Sequence, residues 1–303
     1  MRMRVAILMS TYNGEKYLRE QIDSILFQNG DFEINLCVRD DGSTDSTIDI
    51  LKSYEERKKL TWYTGDNLRS AKSFLTLVQK YRGYDFYAFS DQDDYWFPDK
   101  LSNGIERLKD VASPALYFSN AELVNSQLNT LGRNVYQYSP KIDFKTLSCA
   151  GGLLGCTMIF NRSLAEYIQI KDIPQHMVMH DFYIALLCSA LEGKILYNSI
   201  PSMKYRQHGA NVVGVAFGKI GILRNRIKAI IQKSPNSIAE QANEVLRLYS
   251  NEISESKRKW LYKIGTYNKS FVKRLQLCFS RETKYVNVNM AIRLRISILL
   301  GNR

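Results

Sequence analysis

The chain has 303 residues, of which 45% are apolar, and it contains five cysteines. This size and apolar content suffice to bury a full hydrophobic core, as one large domain or as one domain with an appendage. The odd number of cysteines, without a C-x-x-C pair, favours reduced structural thiols in the cytosol over a disulfide framework. No apolar run approaches the roughly 20 residues of a membrane span. The run at 5–9 is too short for a signal peptide, and we interpret it as a strand.

The net charge of +12 is concentrated at the C-terminal end. Residues 218–303 contain 18 of the 42 basic residues and five of the 30 acidic ones, so their net charge is +13 and that of residues 1–217 is −1. The near-neutral and the basic parts of the chain need separate explanations. We therefore predict a first domain over residues 1–215 and a basic, mainly helical region over residues 216–303.

Strand, turn and helix alternate through the first 110 residues. Apolar periodicity predicts strands at 4–10, 34–38, 60–63 and 84–89, and helices at 15–27, 46–57, 70–81 and 98–109. This order favours an α/β domain with a parallel sheet of the Rossmann type, in which ligands bind at the carboxyl ends of the strands. After residue 110, the pattern of apolar and polar residues predicts strands at 115–119 and 156–160, a polar loop at 122–140 and an apolar helix that ends near residue 190.

An acidic turn follows the fourth predicted strand. Asp91, Asp93 and Asp94 fall within four residues, just before a predicted helix. In an extended segment Asp91 and Asp93 would point to the same side and could share one target. Two converging carboxylates need a cation between them, and oxygen ligands suit Mg²⁺ or Mn²⁺ with phosphate oxygens completing the shell. We therefore favour a metal site over a solvated acidic turn. No glycine-rich phosphate loop is present, so the metal would have to meet the charge of a bound nucleotide.

Three further segments carry candidate site residues, each with an ordinary structural alternative. Gly151 and Gly152 form either the wall of an acceptor site or a kinked edge strand. Asp181, in the first turn of a predicted helix, is either a general base or a helix cap. Arg206 and His208 alternate onto one side of an extended segment. There they suit a diphosphate contact and a metal or phosphate contact, respectively.

Five separated motifs occur in one order along the chain: STYNG at 10–14, DDGSTD at 40–45, SDQDDYW at 90–96, HD at 180–181 and YRQHGAN at 205–211. Together they resemble the motifs of family 2 glycosyltransferases, which are inverting enzymes with the GT-A fold. They are similar to those of bacterial rhamnosyltransferase-like enzymes of O-antigen and capsular polysaccharide synthesis. The resemblance covers about residues 3–215.

The resemblance implies metal-dependent transfer of a sugar from a dTDP- or UDP-sugar to a hydroxyl of an undecaprenyl-diphosphate-linked oligosaccharide. It implies that Asp91 and Asp93 bind Mn²⁺ or Mg²⁺ and that Asp181 is the base, and we predict His208 as a further metal ligand. It implies that Ser10, Tyr12 and Asp41 hold the nucleobase and ribose. We predict further nucleotide-sugar contacts at Thr11, Asn13, Asp40, Asn67, Asp91 and Arg206. The acceptor side comprises Trp96, Gly151, Gly152 and His180. The Q-x-x-R-W motif of processive synthases is missing, which indicates transfer of a single sugar.

The basic C-terminal region has two interpretations. Apolar and basic residues interleave at 219–231, 257–260 and 290–300, as in basic amphipathic helices. Such helices either lie on an anionic membrane surface or pack on the first domain with a solvated cationic face. The resemblance favours the membrane, and so predicts a peripheral protein on the cytoplasmic face of the bacterial inner membrane. No recognised nucleic-acid-binding module occurs, so we expect no nucleic-acid partner.

Two other functions fit parts of the sequence. A sugar nucleotidyltransferase would share the α/β body and the metal carboxylates, but residues 11–15 are not the glycine- and basic-rich loop expected after its first strand. A catalytically silent, membrane-attached scaffold is expected to have degraded acidic motifs, and those of this chain are intact. Glycosyl transfer is therefore the function that we favour.

Overall fold

The computed structural model describes residues 2–151, 153–208, 236–280 and 288–301. The chain divides into two compact units. The first comprises Met1–Ser139, Leu153–Ile173 and Gly193–His208, and the second comprises Pro140–Gly152, Pro174–Glu192 and Gly209–Arg303. The second unit thus includes two short segments that composition did not indicate. The predicted boundary at residue 215 lies outside the described residues and stays a prediction.

A mixed sheet of nine strands forms the first unit within the described residues. The strands are β1 Met3–Thr11, β2 Phe32–Asp40, β3 Thr61–Thr64, β4 Phe86–Ser90, β5 Tyr95–Trp96, β6 Ala115–Val124, β7 Thr130–Asn134, β8 Ile159–Asn161 and β9 Lys194–Arg206. Their order is β3-β2-β1-β4-β8-β6-β9-β5, with β7 paired to β6. The first four strands are parallel, as the alternation of strand and helix predicts. The later part contains antiparallel pairs, so the sheet is mixed.

Five helices of the described residues belong to the first unit: α1 Leu18–Leu26, α2 Thr47–Glu56, α3 Arg69–Lys80, α4 Lys100–Leu108 and α6 Arg162–Gln169. They bury apolar stripes against the sheet. Val5, Ile7 and Met9 of β1 share one core with Ile22 and Ile25 of α1. The alternate residues of β1 are also fully buried, as in a parallel strand covered on both faces.

The second unit is helical in its described residues. Its helices are α5 Phe144–Ala150, α7 His180–Ala190, α8 Ile238–Tyr249, α9 Glu255–Thr266, α10 Phe271–Cys278 and α11 Val288–Leu300. A capping box between Ser237 and Glu240 starts α8. Trp260 of α9 donates a hydrogen bond from Nε1 to Ser148 Oγ of α5 at 2.7 Å. The predicted α/β fold with a C-terminal helical extension is thus confirmed.

The described helices and the cysteines bear on two expectations from the sequence, the absence of a membrane span and the presence of free thiols. Among the described residues no helix combines the length and apolar character needed to cross a membrane. All five cysteines are buried and free, as predicted.

Two predicted segments differ from the structure. Residues 122–140, predicted as a polar loop, contain the end of β6 and all of β7, which form a hairpin closed by a hydrogen bond from Asn125 N to Asn129 O. The β7 residues are largely exposed, so no apolar alternation reveals this strand. Residues 156–160, predicted as one strand, are a 3₁₀ turn at Gly155–Thr157 followed by the short β8.

Candidate active site

The carboxyl ends of the parallel strands lie side by side. The register pairs Thr11 of β1 with Asp40 of β2, and Asp40 with Thr64 of β3. On the other side of β1, Met9 pairs with Ser90 of β4. The turns after these strands therefore meet at one edge of the sheet, as the sequence predicts, and they carry most of the predicted nucleotide-sugar residues.

Tyr12, at the end of β1, is held by the acidic turn after β4. Its backbone N–H donates to Gln92 Oε1 at 2.9 Å, and its carbonyl accepts from Gln92 Nε2 at 3.1 Å. Gly14 makes room for this contact, since a Cβ there would lie 2.3 Å from Gln92 Oε1. Asn13 adopts a positive φ, and its side-chain oxygen accepts from Thr44 N. The Tyr12 side chain stays 49% exposed and can offer its ring to a base or a sugar.

Asp40 is the centre of a buried hydrogen-bond network. Its carboxylate accepts from five protein donors: Thr11 Oγ1, Gly42 N, Ser43 N, Ser43 Oγ and Thr64 Oγ1. Gly42 has a φ of +83°, which only glycine adopts readily. In this geometry Asp40 and Thr11 shape the turn after β2, and a direct contact of either with a nucleotide stays a prediction.

Asp41 and Ser10 are connected through residues that the sequence reasoning did not single out. Asp41 forms a buried ion pair with Arg39. Arg39 also donates from Nη1 to Ser73 Oγ at 3.3 Å, and Ser73 Oγ lies 2.7 Å from Ser10 Oγ. Arg39 directly follows the buried apolar residues 36–38 of β2, and this position is the signal that could have identified it. Asn67, in the loop after β3, is exposed.

The acidic turn divides its carboxylates between two groups. Residues 92 and 93 bend the chain, so strand alternation does not set the directions of Asp91 and Asp93, contrary to the extended segment assumed from sequence. Carboxylate oxygens of Asp91 and Asp94 and the Cys156 sulfur lie within 4.8 Å of one another. Asp93 instead meets His208, with 2.8 Å between Oδ2 and Nε2. The side chains of Asp93 and His208 are 19% and 16% exposed, so a ligand could reach both.

Asp94 is the carboxylate that the D-x-D reasoning left without a role. It is fully buried, and its Oδ1 accepts from Arg206 N at 3.0 Å. Burial, and then the charges of Asp93 and Asp91, raise the pKa of Asp94 well above its usual value. The neighbouring carboxylates of Asp91 and Asp93 favour a divalent cation, and carboxylate and imidazole groups are suitable ligands for Mn²⁺. Asp93 and His208 therefore fit a metal site, whereas Asp91 groups with Asp94 and Cys156, and its place in the same ligand set stays a prediction. Asp94 directly follows Asp93 in the sequence, and this adjacency is the signal that could have identified Asp94.

Arg206, predicted to contact a diphosphate, is committed to protein groups. Its side chain is 2% exposed and forms an ion pair with Glu20. The guanidinium lies over the Tyr17 ring, 4.3 Å from the centroid, and donates to the carbonyls of Asp93 and Ser126. A diphosphate contact would require Arg206 to give up these partners. The geometry therefore supports a role for Arg206 in positioning the acidic turn.

Trp96, predicted at the acceptor wall, is 1% exposed. Its backbone N–H donates to Ser24 Oγ, and Lys100 Nζ lies 4.6 Å from its ring centroid. Lys100 is itself fully buried, and this burial lowers its pKa to about 8. A side chain with almost no exposed surface cannot line an open acceptor site, so the structure corrects this prediction. Trp96 is part of the core beneath the acidic turn.

The remaining predicted residues belong to the second unit. Gly151 ends α5 with a φ of +59°, and a Cβ there would lie 2.5 Å from the Phe182 ring, so this segment is not an edge strand. Gly152 lies outside the described residues. His180 begins α7 and is buried, which lowers its pKa to about 3. Asp181 is half-buried in the first turn of α7, where its Oδ1 accepts from Phe182 N at 2.7 Å. The N-cap of α7 is Met179, so Asp181 is not the capping residue.

Comparisons with known proteins agree with this arrangement. The family described as Glycosyl transferase family 2 matches residues 6–168. The chain is 28% identical over 261 residues to the dTDP-rhamnosyl transferase RfbG of Shigella flexneri. The alignment covers 77% of this chain and 86% of RfbG. It is 27% identical over 229 residues to an uncharacterized glycosyltransferase of Haemophilus influenzae, covering 75% and 84%.

Two solved structures share the fold. S. aureus TarS 1–349 in complex with UDP-GlcNAc has a TM-score of 0.57 and 17% identity, covering 98% of this chain and 90% of that one. The mannosyltransferase PcManGT of Pyrobaculum calidifontis in complex with GDP-Man and Mn²⁺ has a TM-score of 0.53 and 16% identity, covering 98% and 86%. At these identities the likeness shows the fold.

Proposed function

Because the chain belongs to glycosyl transferase family 2 and is a glycosyltransferase, we propose that it transfers one sugar, with inversion, from a nucleotide-diphosphate sugar to a lipid-linked oligosaccharide. The observation that carries this proposal is the acidic turn at the carboxyl end of β4, where Asp93 meets His208. The donor is dTDP-rhamnose or a UDP-hexose. Similarity to a dTDP-rhamnosyl transferase supports the first, and the fold shared with a UDP-GlcNAc complex is compatible with the second.

The nucleotide binds at the sheet edge formed by the ends of β1, β2 and β4. Tyr12 offers its exposed ring and Ser10 its hydroxyl for the ribose or base, whereas Asp41 would have to leave its buried ion pair with Arg39 to contact the nucleotide. Asp91, Asp93 and His208 would hold Mn²⁺ or Mg²⁺, which when bound would offset the negative charge that develops on the nucleotide-diphosphate leaving group.

Asp181 acts as the general base. Its carboxylate accepts the proton of the acceptor hydroxyl while the hydroxyl oxygen bonds to the anomeric carbon of the sugar. The bond from that carbon to the diphosphate oxygen breaks at the same time, and the nucleoside diphosphate leaves. A single displacement of this kind inverts the anomeric centre, and general base catalysis contributes roughly 10²–10⁴-fold to its rate.

The acceptor is an undecaprenyl-diphosphate-linked oligosaccharide of O-antigen or capsule synthesis. The reaction then takes place at the cytoplasmic face of the inner membrane, and the excess of basic residues in 218–303 supports attachment to that anionic surface.

A thermal-shift screen of the purified protein tests the proposal. UDP, dTDP, GDP and their sugars are added with and without Mn²⁺. A ligand that binds the folded state at 100 times its Kd stabilises it by about 2.7 kcal/mol and raises the melting temperature. We expect a metal-dependent shift with dTDP or UDP and a smaller one with GDP. A well-folded sample that responds to none of these ligands would contradict the proposal and favour the scaffold.

A further inference from the structure

Helix α11 of the second unit is apolar on two faces. Leu294 and Ile298 are buried, whereas Ile292, Ile296 and Leu300 recur every four residues and are 49%, 41% and 47% exposed. A helix with apolar residues on opposite faces normally buries both faces, in a protein core or in lipid. The face of α11 that carries Ile292, Ile296 and Leu300 is therefore apolar but not covered by apolar neighbours among the described residues.

The neighbouring helix α10 has the same feature. Phe271, Val272 and Phe279 are 64%, 61% and 73% exposed. Phe271 and Phe279 lie eight residues apart, on one side of the helix. The two helices pack together, and Arg274 of α10 reaches the last carbonyl groups of α11. Six large apolar side chains exposed on two packed helices exceed the single scattered apolar residues of ordinary protein surfaces.

The charge of this part of the sequence favours one kind of partner. Residues 269–303 contain eight Lys or Arg and one Glu. Lys269 and Lys273 are exposed on and just before α10. A second copy of the chain would bring two surfaces of the same charge together, which costs free energy. An anionic lipid surface instead offers phosphates to the lysines and an acyl boundary to the apolar side chains.

We propose that the exposed faces of α10 and α11 dock the protein on an anionic phospholipid surface. The aromatic and aliphatic side chains enter the boundary between headgroups and acyl chains, and Lys269 and Lys273 contact lipid phosphates. This inference rests on the membrane-bound acceptor of the proposed function, and it adds the helices and side chains that form the docking surface.

Co-sedimentation of the full chain with vesicles tests the surface. The vesicles contain phosphatidylcholine alone or with phosphatidylglycerol. We expect binding only to the anionic vesicles, weakened roughly tenfold by Phe279→Ser or Ile296→Ser and about fivefold by Lys273→Ala. Phe27→Ser is the matched control, because Phe27 is 72% exposed and, like Phe279, follows the last residue of a helix. Lys52→Ala controls for the loss of a positive charge.

Three results would overturn the docking surface: no vesicle binding by the native chain, equal binding by Phe279→Ser and Phe27→Ser, or lipid-free self-association that Phe279→Ser abolishes. The nucleotide thermal shift is measured on the same variants to separate this inference from the proposed function. A retained dTDP or UDP shift with lost vesicle binding supports the surface. Vesicle binding by a protein that binds no nucleotide would contradict the proposed function alone.

Discussion

His208 Nε2 lies 2.8 Å from Asp93 Oδ2, although the two residues are 115 positions apart in the sequence. The contact joins the segment after β9 to the acidic turn after β4. It brings an imidazole and a carboxylate into one partly exposed spot beside Asp94, a buried carboxylate with a raised pKa. This concentration of ligands and negative charge is the basis of the proposed metal site.

Replacing Asp93 by Ala should remove metal-dependent turnover. The variant loses one ligand and one negative charge, so we expect Mn²⁺ affinity to fall by roughly 100-fold or more. Titration with Mn²⁺, followed by the electron paramagnetic resonance signal of the free ion, measures this loss independently of activity. Asp110→Ala, at an exposed aspartate outside the site, is the control. Native Mn²⁺ affinity and turnover in Asp93→Ala would rule out Asp93 as a ligand.

Replacing Arg206 by Met should destabilise the fold as well as the metal site. The variant removes a buried cation that holds Glu20 and the carbonyls of Asp93 and Ser126. Because Glu20 is partly exposed, the main cost is that of the buried carbonyl acceptors of Asp93 and Ser126 left without a donor, about 1–3 kcal/mol. Urea denaturation measures the loss. Glu20→Gln, at a residue that is 47% exposed, should cost at most about 1 kcal/mol.

The same Arg206→Met variant distinguishes positioning from direct binding. A positioning role predicts weaker Mn²⁺ binding together with lower stability. Unchanged stability and unchanged Mn²⁺ affinity, with loss of dTDP and UDP binding, would instead support the diphosphate contact predicted from the sequence.

The sequence predicts local features of this fold well because they depend on neighbouring residues. The alternation of apolar runs and turns suffices for β1 to β4 and for the edge where their ends meet. The contacts of Arg206 could not be predicted in this way. They depend on Glu20 and Ser126, which are 186 and 80 positions distant in the sequence. Alternation with His208 therefore predicts a ligand contact for an arginine that is buried among protein groups.

Distant contacts also explain the error in the acidic turn. Period-two alternation assumes an extended chain, but the turn bends where Asp94 is drawn into the interior toward Arg206 N, 112 residues away. Trp96 is likewise predicted at an acceptor wall. Its burial under Lys100 depends on packing that no local pattern shows.

Replacing Asp181 by Asn should separate donor binding from transfer. The amide keeps the shape of the carboxylate but accepts no proton, so we expect a native thermal shift with the donor nucleotide and a turnover roughly 10²–10⁴-fold lower. Sugar transfer to a lipid-linked acceptor and the thermal shift are measured side by side. Asp172→Asn, at an exposed aspartate, serves as the control. Full transfer by Asp181→Asn would leave Asp181 with only its contact to Phe182 N in the first turn of α7.

His180 should make the protein less stable as the pH falls. Burial lowers its pKa from 6.5 to about 3 in the folded state. Above pH 6.5 the imidazole is neutral in both states and its titration contributes nothing to the free energy of unfolding. Between 6.5 and about 3 the unfolded chain binds a proton that the folded chain does not, so the free energy of unfolding falls by up to about 1.4 kcal/mol per pH unit. Urea denaturation across this range should show a shallower pH dependence for His180→Gln than for the native chain, because carboxylates contribute equally to both. Parallel profiles for the two proteins would show that His180 is not held neutral by burial.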